Sequence, residues 1–310
     1  HVARCIVREV KQGRGSPHGG VFLELESFAN WMKKRNPGFN AAEHWKKKLP
    51  SMYHQFKELG NVDITKQPME VGPTTHYVMG GVRVDADTQM SRVPGLFACG
   101  ECAAGINGAN RLGGNSLSDL LVLGKRAGEF AARYAQDHAA GQVHADALQD
   151  AERWALHFMD APDGDENPYA VQHALQELMQ DLVGIVRKED EMLRALEGLQ
   201  QLWVRARKAR APGNREYNPG WHTAMDLHNQ LTVSEAVTRA ALLRKESRGG
   251  QFRDDYPHKD TANFGKVNTV VWQDASGRMQ IRLDRIPEMP ADLKEVIREQ
   301  NEGKLPEELA

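Results

Sequence analysis

The chain has 310 residues, 40% hydrophobic, 26% charged and 7% aromatic. This composition excludes a disordered chain, a collagen and a disulfide-stapled scaffold, and the length suits about two or three domains. Lys and Arg number 40 against 42 Asp and Glu, a formal net charge of -2, which gives no general electrostatic reason to bind nucleic acid or an anionic membrane. No apolar run approaches the roughly 18 residues that a spanning helix needs, and three cysteines, an odd number, fit a reducing compartment better than a disulfide framework.

Residues 1–13 read as an amphipathic helix through Val2, Cys5, Ile6 and Val10 that closes at Gly13. The chain opens inside this helix without Met and without a signal or transit pattern, and so reads as a portion of a longer one. After a Gly- and Pro-rich turn, Val21-Phe22-Leu23-Glu24-Leu25 alternates as a short strand. Helix-period, Lys-rich patterning over 28–59 breaks near Pro37-Gly38 and Pro50. Residues 77–84 and 95–100 read as strands bounded by glycines and Pro94, and a glycine-rich loop spans 105–114. Asn115 or Ser116 is the expected N-cap of a helix over 117–135. From about residue 146 the texture is helical. Helices are expected over 146–159, 168–186, 188–210 and 222–245, with short breaks that suit a bundle. A hairpin is expected over 266–272 and 280–283 around Asp274-Ala275-Ser276-Gly277, followed by a polar, proline-marked tail.

The densest chemical signal is GECAAGINGANRLGGNSL, from Gly100 to Leu117. Such glycine density lets backbone approach another group closely. A helix starting directly after it aims unpaired N–H groups and a positive dipole end into the loop, which suits an anionic or electron-rich group. Arg111 adds a fixed cation whose fork matches a carboxylate or phosphate. The competing reading is a tight strand–helix crossover with Arg111 in a salt bridge. A second signal is Pro73-Thr74-Thr75-His76-Tyr77-Val78-Met79-Gly80-Gly81, which sets a histidine before a glycine pair at a strand start. A lone histidine is more often a surface or core residue, but of the twelve here only His76 has this setting.

The run PTTHYVMGG, VPGLFACGE and NGANRLGGNSL (HGANRLGGNSL in most relatives) resembles the flavoprotein subunits of succinate dehydrogenase and fumarate reductase. NPYAVQHALQELMQDLVGIVRKED is similar to that family's helical domain, RKESRGGQFRDDYP to its ESRG-containing segment, and HVARCIVREVKQGRG to the stretch after its catalytic Arg-Asp pair. The resemblance implies an α/β FAD-binding, Rossmann-like domain remnant with an α+β capping-domain remnant, then an α-helical bundle domain and a small C-terminal domain. The implied boundaries are 1–75 for the capping part, 76–140 for the return into the FAD-binding domain, 141–248 for the helical domain and 249–310 for the last. The implied reaction is interconversion of succinate and fumarate at FAD. His76 and Arg111 would bind one substrate carboxylate. Glu101 would hold the FAD ribose, and Asn115, Ser116 and Leu117 would meet the flavin. The resemblance further implies that the electron partner is an iron–sulfur subunit, with a membrane anchor and quinone reached through it at the cytoplasmic face of the inner membrane. No nucleic acid partner is expected.

Several expected parts do not occur in this sequence. No strand–GxGxxG–helix unit for the FAD diphosphate is found. The proton-shuttling arginine of the family is expected just upstream of His1, so the catalytic residue is left unassigned. Arg4 matches a supporting arginine, read here as packing or hydrogen bonding. Two other readings compete: an L-aspartate oxidase-like flavoenzyme, and a helical docking module without chemistry of its own. Weaker features take bland readings. Cys99 and Cys102 form C-x-x-C by coincidence, because zinc would need two more ligands. Asp160, Asp163, Asp165 and Glu166 lack EF-hand spacing and read as a solvated turn, with no metal expected. Arg205, Arg207, Lys208 and Arg210 read as complementing a helix C-terminus, or less readily as a docking surface. Gly-Gln-Phe at 250–252 replaces the Ala-His common in relatives, and no role is assigned to that position.

Overall fold

The computed structural model describes residues 1–160 and 164–301, and these divide into two units, His1–His76 and Tyr77–Ala310. In the first, α1 (Val2–Lys11) is followed by β1 (Val21–Leu23). The helix-patterned stretch then resolves into α2 (Glu26–Arg35), α3 (Ala41–Lys48) and α4 (Pro50–Gly60). Local chemistry sets these boundaries. Asn40 accepts a hydrogen bond from the Glu43 N–H at 3.2 Å and so satisfies a first-turn donor of α3. Pro50 starts α4, where its missing N–H costs nothing, and Asn61 ends it in the left-handed region at φ 52. β1 pairs antiparallel with β2 (Met69–Val71) in the register Val21–Val71, Phe22–Glu70 and Leu23–Met69. β2 is not apparent in the sequence because three residues are too few to show alternation. Ala29, Trp45, Ile64 and Met69 are buried in this unit, and the Phe28 ring lies 5.3 Å from that of Trp45.

In the second unit the stretches expected as strands, 77–84 and 95–100, form only isolated bridges: Val82 beside Ala103, Val84 opposite Ser91 and Met90 opposite Phe97. Both sheets among the described residues are two-stranded and antiparallel. Among the described residues the expected Rossmann-like α/β layer is represented by one isolated parallel bridge, Val82 beside Ala103, and by no parallel sheet, because a sheet needs neighbouring strands to continue the ladder. α5 runs over Asn115–Asp137, and its N-cap is Gly114, not Asn115 or Ser116, which are already helical.

α6 (Ala145–Asp160), α7 (Pro168–Leu182), α8 (Glu189–Ala206) and α9 (Pro219–Leu243) follow. Asn167 caps α7 by accepting from the Tyr169 and Ala170 N–H groups, and Asn218 caps α9 by accepting from Trp221. In both, a proline occupies the first turn. That is why α9 begins three residues before the expected 222. Val171 and Leu175 on α7, Leu199 and Leu202 on α8, and Leu227 and Leu231 on α9 repeat at three- or four-residue spacing and pack with Phe158 of α6 into one buried cluster. Beyond it come α10 (Thr261–Phe264) and the antiparallel pair β3 (Val267–Gln273) and β4 (Met279–Arg285), with Val267 opposite Arg285 and Gln273 opposite Met279. Asp274 Oδ1 closes the hairpin turn by accepting from Ser276 and Arg278 N–H groups at 2.9 and 3.0 Å. The expected polar tail holds α11 (Ala291–Gln300), a helix with no buried residue whose short apolar stripe, Leu293, Val296 and Ile297, is outweighed in the sequence by its charged neighbours. No helix among the described residues is long and apolar enough to cross a membrane.

Candidate functional site

The glycine-rich stretch leaves a short 3-10 turn at Gly100–Cys102 and runs as an irregular loop into α5. Gly114 takes φ +88, a left-handed value that a side chain would strain, and no side chain caps α5. The first-turn N–H groups of a helix have no partner within it, so the α5 N-terminus presents donors and the positive end of the helix dipole beside the loop. Asn115 is exposed, Ser116 half-buried and Leu117 69% exposed.

Arg111 is not held in a salt bridge among the described residues. Its Nη1 donates to the Leu112 carbonyl at 3.1 Å, its guanidinium lies 4.4 Å from the centroid of the Tyr77 ring, and its buried Nε has no hydrogen-bond partner. The Tyr77 ring is in turn tied to Asp119 of α5, 6% exposed. Asp119 Oδ2 accepts from the Tyr77 hydroxyl at 3.3 Å and from Asn107 Nδ2 at 3.4 Å, and Asn107 Nδ2 also donates to the Tyr77 oxygen at 3.1 Å. Burial, followed by the Asp119 charge, pushes the Tyr77 phenol above its ordinary pKa. Glu101 is exposed, and its Oε1 accepts from the Val78 N–H at 2.9 Å. His76 is exposed and closes the first unit, whereas Arg111, Glu101 and the α5 N-terminus belong to the second. Arg4 lies on α1.

The segment after α9 docks on this loop. Gly250 N–H donates to the Ala109 carbonyl at 2.8 Å, two residues before Arg111. Gly249 has φ +59, and a Cβ added there would overlap that same carbonyl. Glu246, fully buried, anchors the turn. Its carboxylate accepts from Arg244 Nη2 at 2.8 Å, Arg248 Nε at 3.0 Å and the Asp260 N–H at 3.0 Å. Burial pushes its pKa up, but the hydrogen bonds from Arg248 and Arg244 outweigh this and hold it below the usual carboxylate range. A cavity of about 310 Å³ opens between Gly108, Ala109, Glu246, Phe264 and Ile286. Gln251 donates to the Ala241 and Arg244 carbonyls, both at 3.3 Å, and so closes the α9 C-terminus.

Cys102 Sγ donates to the Cys99 carbonyl, and Cys5, Cys99 and Cys102 are free thiols. Glu166 and Arg205 form a two-pronged pair at 2.9 Å, so the acidic turn and the basic run meet each other. Asp163 lies outside the described residues, among which no cluster of three or more His, Cys, Asp or Glu could hold a metal. Sequence reasoning missed Tyr77, Asn107 and Asp119 as a group. The signal that could have found Asp119 is a carboxylate set among Leu117, Leu120 and Leu121 in the first turns of a helix.

Residues 1–117 match a family model described as FAD binding domain, and residues 172–301 match one described as fumarate reductase flavoprotein C-term. The chain belongs to the succinate dehydrogenase and fumarate reductase flavoprotein family. Among relatives of this flavoprotein chain, the 8-methylmenaquinol:fumarate reductase flavoprotein subunit of Wolinella succinogenes is 34% identical over 290 residues, 90% of this chain and 45% of that one. The succinate dehydrogenase flavoprotein subunit of Coxiella burnetii is 34% identical over 292 residues, 88% and 46%. Among solved structures, Sdh1 of Mycobacterium smegmatis in complex with UQ1 is 48% identical and superposes with a TM-score of 0.86 over 100% of this chain and 51% of its own. The flavoprotein chain described here spans about half the length of the curated relatives it matches.

FAD fits the residues present. The α5 N-terminus lacks a side-chain cap, Gly105, Gly108, Gly113 and Gly114 face open space, and no other hydrogen bond to Glu101 occurs among the described residues. A flavin edge needs such donors, and ribose hydroxyls need such an acceptor.

Proposed function

We propose that this chain is part of a flavoprotein subunit that interconverts succinate and fumarate. Glu101 accepts from the FAD ribose, and Asn115, Ser116 and Leu117 bring the α5 N-terminus to the flavin, where its dipole favours the negative charge of the reduced ring. FAD, when bound there, would supply the two-electron redox chemistry. Arg111 and His76 bind one substrate carboxylate. Arg111 donates through its fork and His76 through a charge-assisted hydrogen bond, which draws electron density from fumarate and readies it for hydride.

The observation that carries this reading is Arg111 itself. It is a guanidinium on a glycine loop at an uncapped helix N-terminus, with a buried Nε that lacks a partner and no carboxylate paired to it among the described residues. A buried donor left unpaired is costly unless a ligand satisfies it. Family membership supports the remaining parts of the reading. An iron–sulfur subunit takes or delivers electrons, and a membrane anchor and quinone lie beyond it, with this subunit peripheral at the cytoplasmic face of the inner membrane. Residues 1–75 belong to a capping domain, 76–140 to the FAD-binding domain, 141–248 to a helical domain and 249–310 to a small C-terminal domain.

Arg111→Ala in the full-length enzyme tests the reading. Turnover of succinate and fumarate is expected to fall by roughly 10³-fold or more, with FAD still bound, because removing a charged donor aimed at a reacting carboxylate costs on that order. Near-normal turnover would overturn the assignment.

A further inference from the structure

We infer that Tyr77 and Asp119 are positioning residues for Arg111: the buried Asp119 carboxylate fixes the Tyr77 phenol, and the Tyr77 ring carries the guanidinium where a substrate carboxylate meets it. The inference rests on the reading of Arg111 as a carboxylate ligand and deepens it. A guanidinium that must bind a substrate carboxylate needs a support that does not occupy its fork. A protein carboxylate would pair with it and compete with the substrate. An aromatic face does neither, since it attracts the cation through its quadrupole and leaves the in-plane N–H groups available. The distance of 4.4 Å from the guanidinium carbon to the Tyr77 ring centroid is within that range.

Asp119 then acts through the ring. Its Oδ2 takes the phenol proton's hydrogen bond at 3.3 Å, which holds the ring in plane and enriches it in electron density. The Asn107 amide donates to both oxygens, at 3.1 Å to Tyr77 and 3.4 Å to Asp119, and so ties the Arg111 loop to α5. The negative charge stays one side chain removed from Arg111. The second Asp119 oxygen, buried and without a hydrogen bond, marks a carboxylate kept at a cost. Packing alone would be served by an apolar side chain here.

The test uses the full-length enzyme with its FAD. Tyr77→Leu removes the ring and is expected to raise the KM for succinate about tenfold, whereas Tyr77→Phe keeps the ring but loses its anchor and is expected to raise it about threefold, the span that cation–π energies allow. The double variant Tyr77→Leu with Arg111→Lys is expected to be little worse than Arg111→Lys by itself, because coupled residues do not add. Equal KM shifts for Phe and Leu, unchanged KM in both, or losses that multiply in the double variant would overturn the inference. If Tyr77→Leu does not retain FAD, Asp119→Asn decides. A KM rise matching that of Tyr77→Phe, and not deepened when the two are combined, supports the inference, and an unchanged KM overturns it. An active Arg111→Ala enzyme would sink the reading of the site itself. An inactive Arg111→Ala enzyme beside a Tyr77→Leu enzyme of unchanged KM would sink only the positioning role.

Discussion

Glu246 has no exposed surface, yet it is charged, and the reason is the set of donors around it. Taking a carboxylate out of water is expensive, and here two guanidinium groups and one backbone N–H replace the lost hydration. Its pKa in the folded chain lies below the ordinary carboxylate value, so the stabilisation is present above that ordinary value and is lost as pH falls through the lowered one. Glu246→Gln removes the buried carboxylate that Arg244 and Arg248 share and is expected to cost about 3–5 kcal/mol at neutral pH. It should also flatten the acid limb of stability, because the variant has no proton to take up there. Melting temperature measured between about pH 3 and pH 7 checks both expectations, and parallel curves for the two proteins would count against them. None of this was legible in Arg244-Lys245-Glu246-Ser247-Arg248, since alternating charges in a sequence read as a solvated face until tertiary contacts bury one of them.

Between elements, the link that matters for the site is one turn. Gly249 and Gly250 place the segment after α9 against the Ala109 carbonyl, and the loop bearing Arg111 is fixed at that point. Gly249→Ala meets two obstacles, a left-handed φ and an overlap with backbone that has no flexible end to swing away. The left-handed conformation alone costs roughly 1–2 kcal/mol for a residue with a Cβ. The overlap forces the loop itself to shift, so the KM for succinate is expected to rise about tenfold or more while FAD stays bound. Steady-state kinetics on the full-length variant would detect this, and an unchanged KM would show that the loop is held elsewhere. The sequence announces the ingredients of this contact, glycines at 105–114 and at 249–250, but not that the two meet, because nothing local relates segments so far apart. The same limit explains the expected strands at 77–84 and 95–100. Their alternation is real, but a strand forms only where a partner supplies its hydrogen bonds, and isolated bridges are all that the described residues provide.

Across the second unit, framework and site are built on different information. The α6–α9 helices were readable because each carries its own apolar spacing and, at α7 and α9, an Asn-Pro start. The Tyr77–Asn107–Asp119 group was not, because its members come from three segments whose meeting depends on the whole fold. The buried cluster centred on Leu227 and Leu231 contains no residue of the 105–114 loop. Stability and substrate recognition should therefore separate under mutation. Leu231 is fully buried, and Leu231→Ala removes its contacts and leaves a cavity, a change that costs about 2–5 kcal/mol in close-packed cores. The KM for succinate should be unchanged at temperatures where the variant is folded, since effects at sites without shared partners are independent. Thermal unfolding and steady-state kinetics on the same preparation measure the two quantities together. A lowered melting temperature with an unaltered KM is expected. A KM that moved with stability would mean that the bundle core reaches the Arg111 loop through contacts other than the Gly249–Gly250 turn.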